Sequence, residues 1–330
     1  MAEQYFLSVR NLTVEYTSDK QVIHAVNGVN FDLKKGKSLG LVGETGAGKT
    51  TIAKSILRIL PDRSARIVGG EVYLEDTDLQ KISEKEMQKI RGSRISMIFQ
   101  DPMTVLNPTI RIGDQIAEVI TTHNEISKVE AQQRALKMLE MVGISAERYT
   151  DYPFQFSGGM MQRVIIAIAL ACNPELLLAD EPTTALDVTV QAQVLDMINQ
   201  LRDELGTSLV LITHDLGVVA EMCDDVCVVY AGEIIERGSK VDIFDHPTHP
   251  YTIGLFGALP EMAKGDKRLH PIDGLPPDPS NLPEGCSFSP RCPHATEACR
   301  RKKPETIEMT PGHYCSCIRA DIGGGHGTGH

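Results

Sequence analysis

The chain has 330 residues, of which 42% are hydrophobic and 23% are charged, and its formal net charge is -11. This composition is typical of a soluble globular protein, and the length favours about two domains. An acidic chain is poorly suited to wrapping nucleic acid, because phosphate neutralisation needs a basic surface. The most apolar stretch, residues 164–172, is far shorter than the roughly 20 residues of a membrane helix. Residues 1–10 do not resemble a secretory signal, so a cytosolic location is expected.

The first elements in the chain are two predicted strands, residues 7–16 and 28–33, in which apolar and polar residues alternate. Tyr16 lies at the end of the first strand. Its ring is suited to stacking on a purine base, and it is equally suited to packing across the sheet.

A glycine-rich motif, GETGAGKT, occupies residues 43–50 and matches the phosphate-loop pattern G-x-x-x-x-G-K-[ST]. It follows a predicted strand at 38–42 and precedes a predicted helix at 49–60. The glycines let successive N–H groups point at an oligophosphate beside the helix N-terminus. Lys49 is expected to reach the outer phosphates and Thr50 to ligate Mg²⁺. The alternative is an ordinary glycine-rich turn between a strand and a helix.

The next predicted elements are a strand at 69–74, a helix at 82–91 and a strand at 94–99 that ends at Gln100. The carboxamide of a glutamine in this position can ligate Mg²⁺ or orient a water molecule, although a surface glutamine is commoner. A helical pattern then covers residues 113–143.

The segment QFSGGMMQ, residues 155–162, precedes a periodic apolar run at 164–171. Ser157 is a good N-cap residue, and Gly158 and Gly159 permit close backbone approach. The pattern therefore predicts a second helix N-terminus that binds an anion, with a plain capped helix as the alternative.

The sequence LLLADE, residues 176–181, predicts an apolar strand that ends in two carboxylates, at the edge where α/β folds bind ligands. Asp180 is a candidate Mg²⁺ ligand, and Glu181 is a candidate for polarising water. A helix at 190–205 and a strand at 209–213 follow, and this strand ends at His214. A lone histidine is more often structural, but its position after a buried strand favours a function. Residues 226–230 and 233–237 then predict a hairpin.

The last part of the chain is rich in proline from residue 246 to residue 293, which predicts loops without a large core. Five cysteines lie close together here, at positions 286, 292, 299, 315 and 317. In the cytosol such clustering favours a metal or iron–sulfur site over disulfides. The cysteine intervals are wider than the C-x2-C pairs of zinc modules, and free thiols are the alternative.

The order of the phosphate loop, Gln100, SGG, LLLADE and His214 resembles the nucleotide-binding subunits of ATP-binding cassette (ABC) transporters, over about residues 5–240. The resemblance implies an α/β P-loop fold of the ABC type in a domain at 1–240. This fold has a mixed sheet core, an antiparallel β subdomain and a helical subdomain at about 100–172. The resemblance also implies that the chain hydrolyses ATP with Mg²⁺.

The same resemblance implies a nucleotide-binding set made of the base-stacking aromatic, the Walker A loop, the Q-loop and the signature segment: Tyr16, Gly43, Glu44, Thr45, Gly46, Ala47, Gly48, Lys49, Thr50, Thr51, Gln100, Ser157, Gly158 and Gly159. It implies that Mg²⁺ is held by Thr50, Gln100 and Asp180. It assigns catalysis to Glu181 as the base, His214 as the switch histidine and Lys49, and it makes Asp187 the D-loop residue. The signature departs from the usual L-S-G-G-Q at Phe156 and Met160, and the loop has Thr45 and Ala47 where Ser and Gly are commoner.

The region at 241–330 narrows the resemblance, because HPTHPYT and GLPPDPSNLPEGCSFSPRCPHA are similar to the C-terminal extension of dipeptide and oligopeptide importer ATPases. Similar members carry a [4Fe-4S] cluster. The implied ligands are Cys286, Cys292, Cys299 and Cys317. Cys315 is the rival for the fourth place, and zinc is the alternative metal.

The implied role is a peripheral subunit at the cytoplasmic face of the membrane that powers import of di- or oligopeptides. The implied partners are a second ABC ATPase subunit, more readily a paralogue than a second copy, and two transmembrane permeases. A solute-binding protein outside the cytoplasm acts indirectly, and no nucleic acid is involved. Two alternatives are the same role for nickel or another small solute, and a soluble ABC ATPase that is not a transporter.

Overall fold

The computed structural model describes residues 5–18, 21–184, 186–257 and 272–319. The chain divides into two compact units. The first unit contains residues 1–32, 39–80 and 214–330, and the second contains residues 33–38 and 81–213. None of the helices in the described ranges combines the length and apolar character that crossing a bilayer requires. Parts of the predicted extension, at 258–271 and 320–330, lie outside the described residues.

The strands, in chain order, are β1 (Leu7–Ser18), β2 (Gln21–Leu33), β3 (Ser38–Val42), β4 (Ala65–Leu74), β5 (Thr77–Asp78), β6 (Ile95–Ile98), β7 (Leu176–Asp180), β8 (Ser208–Thr213), β9 (Asp225–Tyr230), β10 (Glu233–Ser239), β11 (Ile307–Thr310) and β12 (His313–Cys315). The helices are α1 (Lys49–Ile56), α2 (Glu84–Ile90), α3 (Pro102–Val105), α4 (Ile112–His123), α5 (Lys128–Met141), α6 (Gly158–Leu170), α7 (Val188–Leu205), α8 (Leu216–Met222), α9 (Lys240–Asp245), α10 (Pro250–Gly257) and α11 (Glu297–Arg301).

The first unit begins with an antiparallel sheet in the order β2-β1-β4-β5. Alternating residues of β1 face a core, and the register pairs Leu7 with Leu74 and Val9 with Val72. All four of these side chains are fully buried. The alternation that the sequence shows therefore produces a sheet with one buried face, as predicted.

The first unit also contains β3, which pairs in parallel with β9, while β9 forms an antiparallel hairpin with β10. β12 adds to the free edge of β10, and β11 pairs with β12. Among its described residues, the proline-rich stretch at 246–293 contains the short helix α10 and is otherwise built of loops, as predicted, while α11, β11 and β12 follow that stretch. β11 alternates apolar and polar residues, but all four of its residues are exposed, so the alternation buries neither face.

The second unit has three parallel strands, β6, β7 and β8, and every residue in them is buried. Strands covered on both faces read as continuous apolar runs, which is how LLLAD appears in the sequence. α4, α5 and α6 form a packed helical group in the same unit. The close approach of the Tyr149 ring requires Gly113, because a Cβ at this position would lie 2.1 Å from the ring.

The helix after the phosphate loop is shorter than predicted. It ends at Ile56, four residues before the predicted end at residue 60. Arg58 has a φ of 52°, in the left-handed region that ends a helix. The predicted strand at 28–33 is longer, since β2 begins at Gln21, and the helical pattern at 113–143 is divided into α4 and α5. The remaining predicted elements differ at their ends by up to four residues.

Candidate functional site

The phosphate loop joins β3 to α1 inside the first unit. Gly43 and Gly48 have φ values of 153° and 100°. A Cβ at Gly43 would lie 2.1 Å from the carbonyl oxygen of Val229, and one at Gly48 would lie 2.3 Å from that of Ala25. Both glycines are therefore required by the packing of the chain itself.

Lys49 is folded back over the loop that it follows. Its side chain is buried, and Nζ donates hydrogen bonds to the carbonyl oxygens of Gly43 at 2.7 Å and Glu44 at 3.0 Å. Tyr16 lies next to α1, the helix that follows the loop, with its hydroxyl 3.4 Å from Oγ1 of Thr51. The structure thus brings the predicted aromatic and the predicted lysine to one loop.

The strand end at β7 carries the two predicted carboxylates of the second unit. Asp180 is buried, and Glu181 follows it with a φ of 45°, an unusual value for a residue with a side chain. The N–H of Glu181 donates to the carbonyl oxygen of Ile212 at 2.8 Å. Gln100 Nε2 and Thr184 Oγ1 each donate to Oε2 of Glu181 at 2.8 Å. The Glu181 carboxylate is thus oriented by two donors, of which the sequence did not predict Thr184.

The predicted switch histidine, His214, follows β8 and is exposed. The next residue, Asp215, caps α8, because its Oδ1 accepts from the N–H groups of Gly217 at 2.9 Å and Val218 at 3.2 Å. The histidine therefore stands at a capped start of a helix, where its backbone is held in place.

The signature segment begins α6 in the second unit. Ser157 Oγ accepts from the N–H of Met160 at 3.4 Å, so the predicted N-cap is confirmed. Ser157, Gly158 and Gly159 line a cavity of about 470 Å³ together with Asp187, whose Oδ1 accepts from the N–H of Val190 at 3.0 Å. A Cβ at Gly158 would meet no atom within 4 Å. This segment is an open, capped helix N-terminus.

Arg148 contacts both residues at which the signature departs from L-S-G-G-Q. Its guanidinium carbon lies 4.2 Å from the ring centroid of Phe156, and Nη1 lies 3.5 Å from the sulfur of Met160. Arg148 is itself held by Asp151 at 2.8 Å and by the carbonyl oxygen of Gln155 at 3.0 Å. No sequence pattern predicts a role for this arginine, because the contacts depend on how the chain turns before α6.

The four predicted cysteine ligands, Cys286, Cys292, Cys299 and Cys317, line one small cavity in the first unit. Burial raises the pKa of Cys286 to about 11. Burial also acts to raise the pKa of Cys299, but hydrogen bonds with Thr296 outweigh it and leave this pKa below its usual value. Within the described ranges, no group of three or more His, Cys, Asp or Glu residues is arranged to hold a metal ion.

Cys315, the rival for the fourth place, lies elsewhere. It is the last residue of β12, it is fully buried, and it pairs in register with Glu236 and Ile307 on the neighbouring strands. Burial raises its pKa well above the usual value. Cys315 does not line the cavity that the four other cysteines share.

His249 lines the same cavity as the four cysteines. Its Nδ1 accepts from the N–H of Tyr251 at 3.0 Å, which leaves the ring proton on Nε2. Nε2 is buried and has no hydrogen-bond partner among the described residues. Burial lowers the pKa of His249 to about 4, so the ring is neutral.

The HPTHPYT segment is fixed to β10 by Glu236, whose side chain is completely buried. Its carboxylate accepts from the N–H groups of Thr248 at 2.7 Å and His249 at 2.9 Å, and it is 2.8 Å from Nε2 of His313. A buried carboxylate needs such a set of partners. This anchor holds the extension against the nucleotide-binding part of the first unit.

Comparison with known proteins agrees with this arrangement. Residues 26–184 match the family model "ABC transporter", and residues 235–299 match "Oligopeptide/dipeptide transporter, C-terminal region". A dimeric ATP-binding cassette, MJ0796, in a post-hydrolysis state with ADP and Pi, has a TM-score of 0.64 and 29% identity. The match covers 71% of this chain and 98% of that chain. The fold and the site define an ATPase of the ABC type, as predicted.

Relatives of nearly equal length are similar throughout. A probable peptide ABC transporter ATP-binding protein of Sinorhizobium fredii is 50% identical over 96% of this chain and 95% of its own length. The dipeptide transport ATP-binding protein DppD of Bacillus subtilis is 48% identical over 96% and 95%. The oligopeptide transport ATP-binding protein OppD of Escherichia coli is 45% identical over 95% and 93%. The chain belongs to the family of ABC transporter ATP-binding proteins.

Proposed function

We propose that this chain is the ATP-hydrolysing subunit that powers import of di- or oligopeptides, and that it works at the cytoplasmic face of the membrane. The observation that carries the proposal is the match of residues 235–299 to the C-terminal region of oligopeptide and dipeptide transporters. Relatives named for dipeptide or oligopeptide transport, 45–48% identical over at least 94% of the chain, support it. Nickel or another small solute is the alternative cargo, and a transport assay distinguishes it from a peptide.

The nucleotide roles follow the phosphoryl-transfer pattern, in which positioning and charge stabilisation supply most of the catalysis. Tyr16 stacks on the base, and the loop from Gly43 to Thr51, including Lys49, holds the phosphates. Glu181, oriented by Gln100 and Thr184, accepts a proton from the attacking water. His214 contacts the γ-phosphate.

The residues expected to hold Mg²⁺ are Thr50, Gln100 and Asp180, whose hydroxyl, amide and carboxylate oxygens are the donors that this ion prefers. The bound ion supplies positive charge against the phosphate oxygens. Asp180 fits this role because it ends a buried strand beside Glu181, at the strand end where α/β folds bind ligands.

The partners that we propose are a second ABC ATPase subunit, two transmembrane permeases and, indirectly, a solute-binding protein. Ser157, Gly158 and Gly159 close over the nucleotide of the facing ATPase subunit. The open helix N-terminus at Gly158 supports this arrangement, because an anion from another molecule can reach it. The dimeric state of MJ0796 is compatible with it.

The extension is proposed to hold a [4Fe-4S] cluster on Cys286, Cys292, Cys299 and Cys317. In favour of the group, these four thiols surround one cavity, and Cys315 does not line it. Zinc on the same four thiols is the alternative occupant.

His249 provides an independent test of this fit. A buried N–H without a partner costs free energy, and hydrogen bonds to cluster sulfurs are a recognised means of setting a reduction potential. Nε2 of His249 is such a group, on the cavity that the four cysteines share. The residues present therefore fit a sulfur-rich occupant.

The experiment that tests the ATPase role replaces Glu181 with glutamine in the transporter reconstituted with its permeases. ATP binding should persist while hydrolysis falls by on the order of 100-fold or more, since a group that acts in the transition state is removed. Glu221→Gln, at an exposed glutamate of α8, is the matched control and should hydrolyse ATP normally. Full hydrolysis in Glu181→Gln rules out the assigned base.

Uptake of a labelled dipeptide but not of nickel by the reconstituted transporter supports the peptide assignment.

A second experiment tests the cluster by measuring iron and sulfide in protein purified without oxygen. Cys317→Ser should lose iron, and Cys315→Ser should retain it, because only Cys317 lines the cavity. Iron loss in Cys315→Ser alone would reverse the ligand assignment. A colourless protein with stoichiometric zinc would eliminate the cluster.

A further inference from the structure

The phosphate loop is held by two side chains of the C-terminal extension, both acting on Glu44. The N–H of Glu44 donates to the hydroxyl of Tyr251 at 3.1 Å. Its carboxylate accepts from Nη1 of Arg291 at 3.1 Å and 3.0 Å. Tyr251 and Arg291 are 207 and 247 residues away from Glu44 in sequence. Both contacts lie inside the first unit.

Arg291 is built into the extension rather than resting on its surface. Its side chain is 6% exposed. Nε donates to the carbonyl oxygen of Asp273 at 3.0 Å, and Nη2 donates to that of Ile272 at 3.3 Å. Nη1 also donates to the hydroxyl of Tyr230 at 3.3 Å. A guanidinium with its donors fixed in this way holds Glu44 in one place.

Tyr251 is fixed by aromatic packing. Its ring centroid lies 4.6 Å from that of Tyr230 and 5.4 Å from that of Phe288. Phe288 lies two residues after Cys286, and its carbonyl oxygen accepts from the N–H groups of Arg291 and Cys292, both at 3.0 Å. The two groups that hold Glu44 thus belong to the same packed segment as two predicted cluster ligands.

We infer that Arg291 and Tyr251 are positioning residues for the phosphate loop, and that they couple the cysteine segment at 286–292 to nucleotide affinity. Arg291 acts on the charge of the loop, and Tyr251 acts on the position of its backbone. Glu44 places a carboxylate in a loop that must accept phosphates, and Arg291 offsets that charge. The Tyr251 hydroxyl fixes the amide after Gly43. This inference rests on the proposed binding of ATP at the loop.

The test titrates a fluorescent ATP analogue with Mg²⁺ into the purified full-length protein. Arg291→Ala should weaken binding by on the order of tenfold, because it leaves the Glu44 carboxylate without its cation. Arg291→Lys should recover part of the loss, since lysine restores the charge but not the planar set of donors. Arg300→Ala, at an arginine of α11 that is 62% exposed, is the matched control and should bind normally.

Tyr251→Phe keeps the ring packing and removes only the hydroxyl, so it decides the question if Arg291→Ala does not fold. We expect it to weaken binding about threefold, the size of one lost hydrogen bond. Wild-type affinity in both Tyr251→Phe and a folded Arg291→Ala overturns the inference. Failure of the wild-type protein itself to bind the analogue contradicts the proposed function instead, so the two failures are distinguishable.

A reciprocal measurement separates coupling from a merely structural role, because linkage between two sites acts in both directions. ATP should slow amide hydrogen exchange at residues 286–292 in the wild-type protein. In Arg291→Lys, ATP should slow exchange at these residues less than in the wild-type protein. In Arg291→Ala, ATP should not slow it at all. Steady-state kinetics should show a raised KM with kcat nearly unchanged. Equal protection by ATP in all three proteins contradicts the coupling.

Discussion

The phosphate loop and the signature segment are both glycine-rich helix N-termini, but they use their glycines differently. In the phosphate loop, a Cβ on Gly43 or Gly48 would collide with a backbone carbonyl oxygen of the same chain, at 2.1 Å and 2.3 Å. In the signature segment, a Cβ on Gly158 would meet nothing within 4 Å. The first loop is shaped by its own fold, whereas the fold does not require a glycine at 158.

This difference indicates where each segment finds its partner. The phosphate loop is held by contacts inside its own unit, from Lys49 to the carbonyl oxygens of Gly43 and Glu44 and from the extension to the Glu44 carboxylate. In the signature segment, Arg148 contacts the Phe156 ring, and Ser157, Gly158 and Gly159 line an open cavity. The space at Gly158 can admit a group from another molecule, and the nucleotide of a facing subunit is the occupant that we propose.

The largest effect is expected in the phosphate loop. Gly48→Ala should destabilise the protein by about 2 kcal/mol or more, because alanine is strained at a φ of 100° and its Cβ meets the Ala25 carbonyl. Thermal unfolding without nucleotide measures this loss. Gly46→Ala is the control: its φ is 81°, but no atom lies within 4 Å, so it should cost only about 1 kcal/mol. Equal losses in the two variants would show that the carbonyl contact is unimportant.

The next effect concerns the signature segment and has the opposite sign for stability. Gly158→Ala should stabilise the chain by up to about 1 kcal/mol, because alanine favours a helix over glycine. ATP binding by the isolated subunit should not change. Hydrolysis by the assembled transporter should fall by on the order of 10- to 100-fold, because the added methyl group displaces a facing nucleotide. Unchanged hydrolysis in the assembly would mean that Gly158 faces no nucleotide.

The sequence predicted those parts of the site that are contiguous in the chain. The phosphate loop, the Ser157 cap and the strand that ends at Asp180 each carry a complete local pattern, so their elements were predicted within a few residues. The residues that hold these segments in place, Arg148, Arg291 and Tyr251, could not be predicted in this way. None of them belongs to a sequence motif, and their roles arise from packing between residues that are far apart in the chain.

The extension shows the same limit. The proline-rich composition at 246–293 correctly predicts loops for most of its described residues, but nothing in it indicates that β12 pairs with β10 or that Glu236 fixes the HPTHPYT segment. β12 has only three residues and lies between β10 and β11, so it is specified by the neighbours that it pairs with and its own residues carry little pattern. Cysteine spacing alone also could not choose between Cys315 and Cys317. The choice depends on which of the two cysteines lines the shared cavity. Cys317 lines it, whereas Cys315 is the last residue of β12 and does not.

A smaller effect is expected at the brace of the signature segment. Arg148→Ala should lower hydrolysis in the assembled transporter several-fold, because Phe156 and Met160 lose the group that orients them. Nucleotide binding by the isolated subunit should remain unchanged. Arg134→Ala, at an exposed i,i+4 pair with Glu130 in the same unit, is the control and should have no effect on hydrolysis. A drop of the same size in both variants would point to a general loss of charge.

The smallest effect concerns an ion pair in the signature-bearing unit. It differs from the Glu44–Arg291 pair in its arginine, because the Arg291 side chain is 6% exposed and the Arg94 side chain is 32% exposed. Glu175 lies just before β7 and contacts Arg94 at 2.5 Å and Lys35 at 3.1 Å. The hydrogen bond from Arg94 is the main cause that lowers the pKa of Glu175 below its usual 4.5. The pair therefore stabilises the fold at a pH above 4.5, and this contribution is lost as the pH falls through the lower folded value.

Glu175→Gln should thus cost about 0.5 kcal/mol at pH 7 and less at pH 3, because a third of this side chain is exposed and solvent weakens the pair. Urea unfolding at the two pH values measures the difference. The gap between the variant and the wild-type protein should close on acidification. A gap of constant size would mean that Glu175 contributes through packing alone.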